Sequence, residues 1–377
     1  MEINEAFILQ AIGLPALTEI ARQASGGGDL DLLDWRVKPI GGGLGNPVSV
    51  GLYRVAGHGR AAHARMSWTA ILKVIQSPAN VGESNMGEGD DPTHWNYWKR
   101  ELFVYRSGFL GTLPDGLVAP RCYGTWELPG DVACLWLEDV AEATDAAWPL
   151  ERYALAARHL GRLNGLYAGP QPLPDYPWLG RRRIGQWYDQ LPNWRAIPWD
   201  HPQVSARYPE NEIDNLRRVL REAEDFIDRL DRLPQTLCHG DIYPTNLKSR
   251  GRAGHEQTVA LDWALAQVGP IGYDLGGLTF GAYLNLPELS LPEVDSALFE
   301  AYVAGLRDSG CTVEDQQVRF GYAASAVLII ALFTLAMLDW QIQTGDAADI
   351  DATRPNDGRP CFEAAMADIA CELREVI

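Results

Sequence analysis

At 377 residues, with 46% hydrophobic and 22% charged side chains, the chain can bury a large interior and reads as folded throughout, in two lobes or two domains rather than one average core. A formal charge of -18 excludes a general nucleic-acid binder, because phosphate backbones reward Lys and Arg; it suits a cationic small-molecule partner, although acidity also serves plain solubility. Cysteines at 122, 134, 238, 311, 361 and 371 show neither CxxC pairs nor a histidine at zinc spacing, so reduced thiols in the cytoplasm are expected, without disulfides or zinc.

The N-terminus, with Glu2, Glu5 and Pro15, lacks the basic and apolar pattern of a signal peptide. A short helix is expected there, followed by the flexible Ser25 to Gly28 segment. Trp35 to Ile75 then reads as strands of a small antiparallel sheet (WRVKPI, VSVGLYRV, TAILKVI), punctuated by glycine. Turn formers and acids fill 77–93, and Trp98, Leu102, Tyr105 and Phe109 recur at helical spacing within a helix expected over 95–109. Two further strands are expected over 118–126 and 132–137, with a turn at 128–131.

From Pro149 onward helices dominate: 150–167, 211–233, 291–308, 318–343 and 362–376. The apolar run Ala323 to Leu338 is 16 residues long, shorter than a membrane span and without basic anchors, so a buried core helix is expected and no membrane. TLC before His239 and TVAL before Asp262 are short strands, expected to form one small hairpin. The segment 170–208 interleaves Trp178, Trp187, Trp194 and Trp199 with proline and with Arg181, Arg182 and Arg183. Its aromatics either line a cleft or cover a core, and the arginines read as a solvated surface or else as a subsite for an anion. A sheet-rich N-terminal lobe over 1–140, joined through 136–141 to a helical lobe over 141–377, is the simplest α+β organisation.

The chemistry concentrates in Leu237-Cys-His239-Gly-Asp241-Ile-Tyr-Pro-Thr-Asn246, where a strand runs into an H-x-D-x4-N loop, and in Asp262 at the end of the next strand. Singly these are turn formers; in this order they suit phosphoryl transfer, which needs a cation held on the phosphates and a carboxylate to take the acceptor proton. Asp241 fits the proton role. Asn246 and Asp262 are hard oxygen donors of the kind Mg2+ takes.

This string resembles the catalytic loop of the aminoglycoside phosphotransferase and choline kinase superfamily, relatives of protein kinases, over roughly residues 35 to 285. The resemblance implies a protein-kinase-like two-lobed fold that uses ATP and Mg2+ on a small-molecule hydroxyl. It further implies that Lys73 contacts nucleotide phosphates with Glu101 as its helix partner, that Gly43, Gly45 and Asn46 position the nucleotide, that the 138–140 backbone around Glu138 and Val140 holds adenine, and that Asp274 braces the catalytic loop. On the residues alone, the glycines also fit a plain hairpin turn, the Lys73 pair also fits a structural salt bridge, and Asp274 also fits a helix N-cap. Tyr243 and Asn164 stand where relatives often carry histidine, and the stretch between Asn246 and Asp262 is long for the family. With no long segment between Asp262 and Asp274 and no Arg after His239, a small-molecule kinase fits better than a protein kinase. An aminoglycoside leads among acceptors, ahead of choline-like alcohols and sugars; a non-catalytic nucleotide-binding protein and a metal-dependent hydrolase are the rivals.

Overall fold

The structure, a computed structural model, describes residues 3–41, 48–61, 64–81, 89–142, 147–191, 193–251, 255–344 and 359–374. Its architecture is the expected two-lobed α+β one, with a sheet-based N-terminal lobe and a mostly helical C-terminal lobe. Helix α1 (Glu5–Ala24) is capped by the Asn4 side chain, kinks at Gly13, and buries Ile8, Leu17 and Ile20. It packs on a five-stranded antiparallel sheet of β1 (Asp31–Ile40), β2 (Ser49–Ala61) and β3 (Ala64–Gln76), completed by two later strands. These strands run longer than the sequence reading, because β2 and β3 continue as one hairpin from Ser49↔Ile75 out to Ala61↔Ala64.

Helix α2 (Arg100–Arg106) is much shorter than the helix expected over 95–109. The apolar spacing there is real, but Trp95 and Trp98 are buried ahead of the helix in a run of turns, and Gly108 (φ 74) precedes Phe109. The strand expected over 118–126 is also two pieces. β4 (Leu117–Val118) precedes Pro120 and pairs with a strand of the other lobe, whereas β5 (Cys122–Leu128) joins β6 (Val132–Glu138) in the sheet order β1-β2-β3-β6-β5.

The C-terminal lobe begins with α3 (Leu150–Ala168), followed by β7 (Gly180–Arg181), α4 (Arg183–Gln190), α5 (Pro202–Arg207) and α6 (Glu210–Arg232). Leu216, Val219, Leu220, Ala223, Phe226, Ile227 and Leu230 form the buried stripe of α6 at three- and four-residue spacing, each large side chain contributing about 1.5 to 3 kcal/mol by leaving water. Then come β8 (Gln235–Cys238), β9 (Leu247–Arg250), β10 (Gln257–Ala260), β11 (Gln267–Pro270), α7 (Leu275–Asn285), α8 (Leu291–Asp308), α9 (Asp315–Thr344) and α10 (Arg359–Leu373). A Ser290/Glu293 capping box starts α8, which packs backbone to backbone on α3: a Cβ on Gly161 would meet the Tyr302 carbonyl at 2.1 Å. The apolar α9 is buried among the other helices, as expected of a core helix.

The hairpin expected between the strands before His239 and Asp262 is corrected by the pairing. β10 pairs antiparallel with β9, while β8 pairs with β11 across Cys238↔Gln267. The loop at 239–246 intervenes between β8 and the hairpin, so the strand ahead of His239 is free to find a later partner.

Candidate active site

The β9/β10 hairpin fixes the first geometric relationship of the site. Asn246 enters β9 and Asp262 leaves β10, and the Leu261 N–H donates to the Asn246 carbonyl at 2.8 Å. From its own side, the Asn246 amide nitrogen donates to both the Asp241 carbonyl and the Asp241 carboxylate, each at 2.9 Å. Asp241, Asn246 and Asp262 therefore meet at one mouth. The Asn246 amide oxygen is the atom its own hydrogen bonds leave for a cation.

The turn that carries Asp241 depends on Gly240. Its φ is +91°, and a Cβ would stand 2.0 Å from the Leu265 carbonyl, so only glycine fits between the two loops. His239 is fully buried; its Nε2 donates to the Leu261 carbonyl at 2.9 Å and its Nδ1 accepts from the Asp241 N–H at 3.3 Å, which assigns the Nε2-H tautomer. Burial pushes its pKa down to about 4, so the ring is neutral, and it packs 4.4 Å from the Trp263 ring beyond Asp262. His239 thus joins the two loops.

Asp274, at the start of α7, does not cap that helix with its side chain. Its carboxylate accepts from the His239 and Gly240 N–H groups, both at 2.9 Å, and from the Asn164 amide at 3.3 Å. Burial raises its pKa, and these donors oppose the rise. Asn164, fully buried on α3, also donates to the Leu237 carbonyl at 2.7 Å and accepts from the Tyr302 hydroxyl at 2.6 Å. At sequence level Asn164 stood out only as a replacement; its helix position carries no signal of this hub.

On the N-terminal side, Lys73 of β3 reaches Glu101 of α2 at 2.6 Å and Asp262 at 2.8 Å. Burial disfavours the ammonium, but the Asp262 and Glu101 carboxylates outweigh it and raise the Lys73 pKa. Glu101 is 2% exposed and also accepts from the Trp263 N–H at 3.3 Å. Asp262, in the left-handed region at φ 58, gives Oδ1 to Lys73. Its Oδ2 and the Asn246 oxygen are hard donors that fit a divalent cation, with phosphate and water oxygens completing its shell. Among the described residues no cluster of three or more His, Cys, Asp or Glu stands ready to hold a metal.

Asp241 lies in surroundings that shift a carboxyl upward: burial lifts its pKa to about 6, against the pull of the Arg183 guanidinium. A carboxylate in that range can both take and return a proton near neutral pH.

Glu138 spends its side chain within the protein, accepting from the Arg121 N–H at 3.1 Å and from Arg250 at 2.7 Å; Asp139 accepts from Arg54 and Thr69, both at 2.7 Å. The Glu138 N–H is taken as well, donating to the Arg121 carbonyl at 2.8 Å, and Val140 beyond it is half-buried. Gly43, Gly45 and Asn46 lie outside the described residues.

The Arg181 to Arg183 triplet is neither a uniformly solvated surface nor an open subsite. Arg181 and Arg182 are exposed, but Arg183 is buried and donates to the Gly240 carbonyl at 2.5 Å and the Tyr273 hydroxyl at 2.8 Å. A run of like residues conceals this, because only the start of α4 turns one member inward. Of the tryptophans, Trp178 and Trp187 are core, the latter stacked on Trp95 at 5.1 Å, while Trp194 and Trp199 each carry an arginine over one face, Arg195 and Arg217. Trp178 and Trp187 therefore cover the core, and Trp194 and Trp199 are half-buried.

Residues 130–310 match the model of the phosphotransferase enzyme family (APH), a span that contains the whole Asp241, Asn246, Asp262 and Asp274 arrangement. Comparison with curated proteins finds no match. Among solved structures the chain is similar to a choline kinase from Streptococcus pneumoniae (12% identity, 92% of this chain and 95% of that one, TM-score 0.44). It is similar too to an ethanolamine kinase from Plasmodium vivax (14%, 91% and 83%, TM-score 0.47) and an aminoglycoside 2'-phosphotransferase of type IIIa in its GDP complex (14%, 96% and 98%, TM-score 0.46).

Proposed function

We propose that this protein, whose residues 130–310 match the phosphotransferase family model, is a small-molecule phosphotransferase that moves the γ-phosphoryl group of MgATP to a hydroxyl of an aminoglycoside or related amino sugar. One observation carries the reading: Asp241 and Asn246 share a 2.9 Å side-chain hydrogen bond at the same mouth where Asp262 is ion-paired to Lys73. A proton acceptor, oxygen ligands and a phosphate-binding cation then stand together, as phosphoryl transfer requires.

In this reading Asp241 orients the acceptor hydroxyl and takes its proton as the oxygen attacks, with His239 organising the loop beneath it. Asn246 and Asp262 hold Mg2+, which when bound neutralises charge on the phosphates. Lys73, braced by Glu101, holds the phosphates from the sheet side, and Gly43, Gly45 and Asn46 together with the Glu138 to Val140 backbone hold the nucleotide. Asp274 braces the catalytic loop through the His239 and Gly240 amides. Residues 1–140 serve as the nucleotide lobe, 136–141 as its hinge, and 141–377 as the catalytic and acceptor lobe. The charge of -18 supports a cationic acceptor, and free cysteines support a cytoplasmic setting.

The test is ADP release from MgATP across aminoglycosides, amino sugars, choline, ethanolamine and hexoses, beside Asp241→Ala. Acceptor-dependent release that disappears in the variant is expected. Turnover with choline alone would transfer the assignment to a choline-type alcohol, and tight MgATP binding with no transfer to any acceptor would leave a nucleotide-binding protein.

A further inference from the structure

Two guanidinium groups lie buried beside the catalytic loops with no carboxylate in ion-pair contact among the described residues. Arg100 is fully buried and donates only to main-chain carbonyls, those of His94, Trp95, Trp178 and Ala264. Arg183 uses one nitrogen for both the Gly240 carbonyl and the Tyr273 hydroxyl, and its Nε is buried without a partner. Burying an unpaired cation is expensive, and well-packed apolar residues generally serve stability better. Such a cost calls for a return elsewhere.

The carbonyls these arginines hold show where. Gly240 directly precedes Asp241, so its carbonyl and the Asp241 N–H belong to one peptide unit. Arg183 binds that unit at its oxygen and His239 Nδ1 binds it at its nitrogen. The unit is pinned at both ends, which fixes the direction in which the Asp241 side chain leaves the backbone toward Asn246. Ala264, held by Arg100 at 3.1 Å, is two residues past Asp262, and the adjacent Glu101 takes the Trp263 N–H. Trp95 unites the two arginines: its carbonyl accepts from Arg100, and its ring lies 5.4 Å from the Arg183 guanidinium. Gln186 and Gln190 of α4 in turn accept from the Trp95 main-chain and indole N–H groups, at 2.9 and 2.8 Å.

We propose that Arg183 is a positioning residue for phosphoryl transfer: it holds the Gly240–Asp241 peptide unit so that the Asp241 carboxylate stays against Asn246, with Arg100 fixing the Asp262 turn through Ala264 in the same manner. The role rests on the phosphotransferase reading above. It predicts a particular split. Arg183 is not placed against nucleotide, so its loss changes turnover rather than nucleotide affinity.

The experiment measures MgATP affinity by calorimetry and slow MgATP hydrolysis, with water as acceptor, in wild type, Arg183→Met, Arg183→Lys and Tyr273→Phe. Arg183→Met is expected to bind MgATP within about twofold of wild type yet hydrolyse it at least about tenfold more slowly, since displacements near 1 Å can cost up to about 100-fold. Arg183→Lys should recover part of the rate, because an ammonium can still reach the Gly240 carbonyl, and Tyr273→Phe should stay near wild type. Wild-type turnover in Arg183→Met, or turnover and affinity falling in equal proportion, overturns the positioning role. Should Arg183→Met fail to fold, Arg183→Lys decides: reduced turnover at unchanged affinity supports the role, and wild-type turnover overturns it. A wild type that binds no MgATP overturns the phosphotransferase reading itself, which is a separate result.

Discussion

The Lys73 ammonium lies 2.6 Å from the Glu101 carboxylate, and both side chains are buried. Removing one partner of a buried pair costs more than never having had it, because the remaining charge is left desolvated. Lys73→Met leaves Glu101 and Asp262 near each other without their cation, and a loss of about 3 to 5 kcal/mol is expected. Burial already raises the Glu101 pKa, so Glu101 takes up a proton as pH falls, and the loss should be larger at pH 8 than at pH 6. Lys73→Met/Glu101→Gln should regain much of the stability and none of the turnover. Urea midpoints at the two pH values check this; an Lys73→Met midpoint equal to wild type would sink it.

Asn164 spends its side chain on the Leu237 carbonyl, the Asp274 carboxylate and the Tyr302 hydroxyl, all inside the protein. Asn164→Ala strands these groups without water, at a cost of about 2 to 4 kcal/mol. Asn164→Asp should be worse at pH 8, since a second carboxylate then faces Asp274. Thermal unfolding of the three proteins at that pH gives the ranking, and Asn164→Asp matching wild type would contradict the hub.

Much of this site is legible in the chain because it is local. His239, Asp241 and Asn246 sit within one loop, and Lys73 and Glu101 each sit in a strand or helix whose apolar pattern marks it. Partnerships at long range are not local: β8 finds β11 rather than β10, a choice set by a 28-residue excursion whose packing no period records. Arg183 hides in a triplet of like residues, and Arg100 hides beside the more conspicuous Glu101. The apolar spacing overextends helix α2 because Trp95 and Trp98 are apolar for another reason, their burial in the turns that contact α4. Helix α7, rich in glycine and apolar on all sides, carries no amphipathic period by which a sequence marks a helix.

Gly240→Ala tests the close approach of the loops that carry Asp241 and Asp262. The positive φ costs an alanine about 1 to 2 kcal/mol, and the 2.0 Å contact with the Leu265 carbonyl must be relieved by moving one loop. Because the same peptide unit carries Asp241, turnover should fall by on the order of 100-fold while the unfolding midpoint falls only modestly. Turnover close to wild type would show that the loops can separate without consequence.

Asp241→Asn separates function from stability through the sign of one shift. Burial raises the Asp241 pKa from 3.8 to about 6 in the folded protein, so between those values the folded state binds more protons than the unfolded one. Stability is therefore lost as pH rises through this window, and the full penalty applies above pH 6. At about 1.4 kcal/mol per unit it amounts to roughly 2 to 3 kcal/mol. Asparagine carries no such penalty. Asp241→Asn should be more stable than wild type at pH 7.5, and the gain should shrink toward zero near pH 4, while turnover at pH 7.5 falls by about 100- to 10,000-fold. Wild-type turnover should itself decline as pH drops below about 6, where the base becomes protonated. Urea unfolding at both pH values, read beside ADP release, checks the pair of effects. A variant no more stable than wild type at pH 7.5 would mean that Asp241 sits in a solvated site rather than a desolvated one, and its place as the proton acceptor would lose its physical basis.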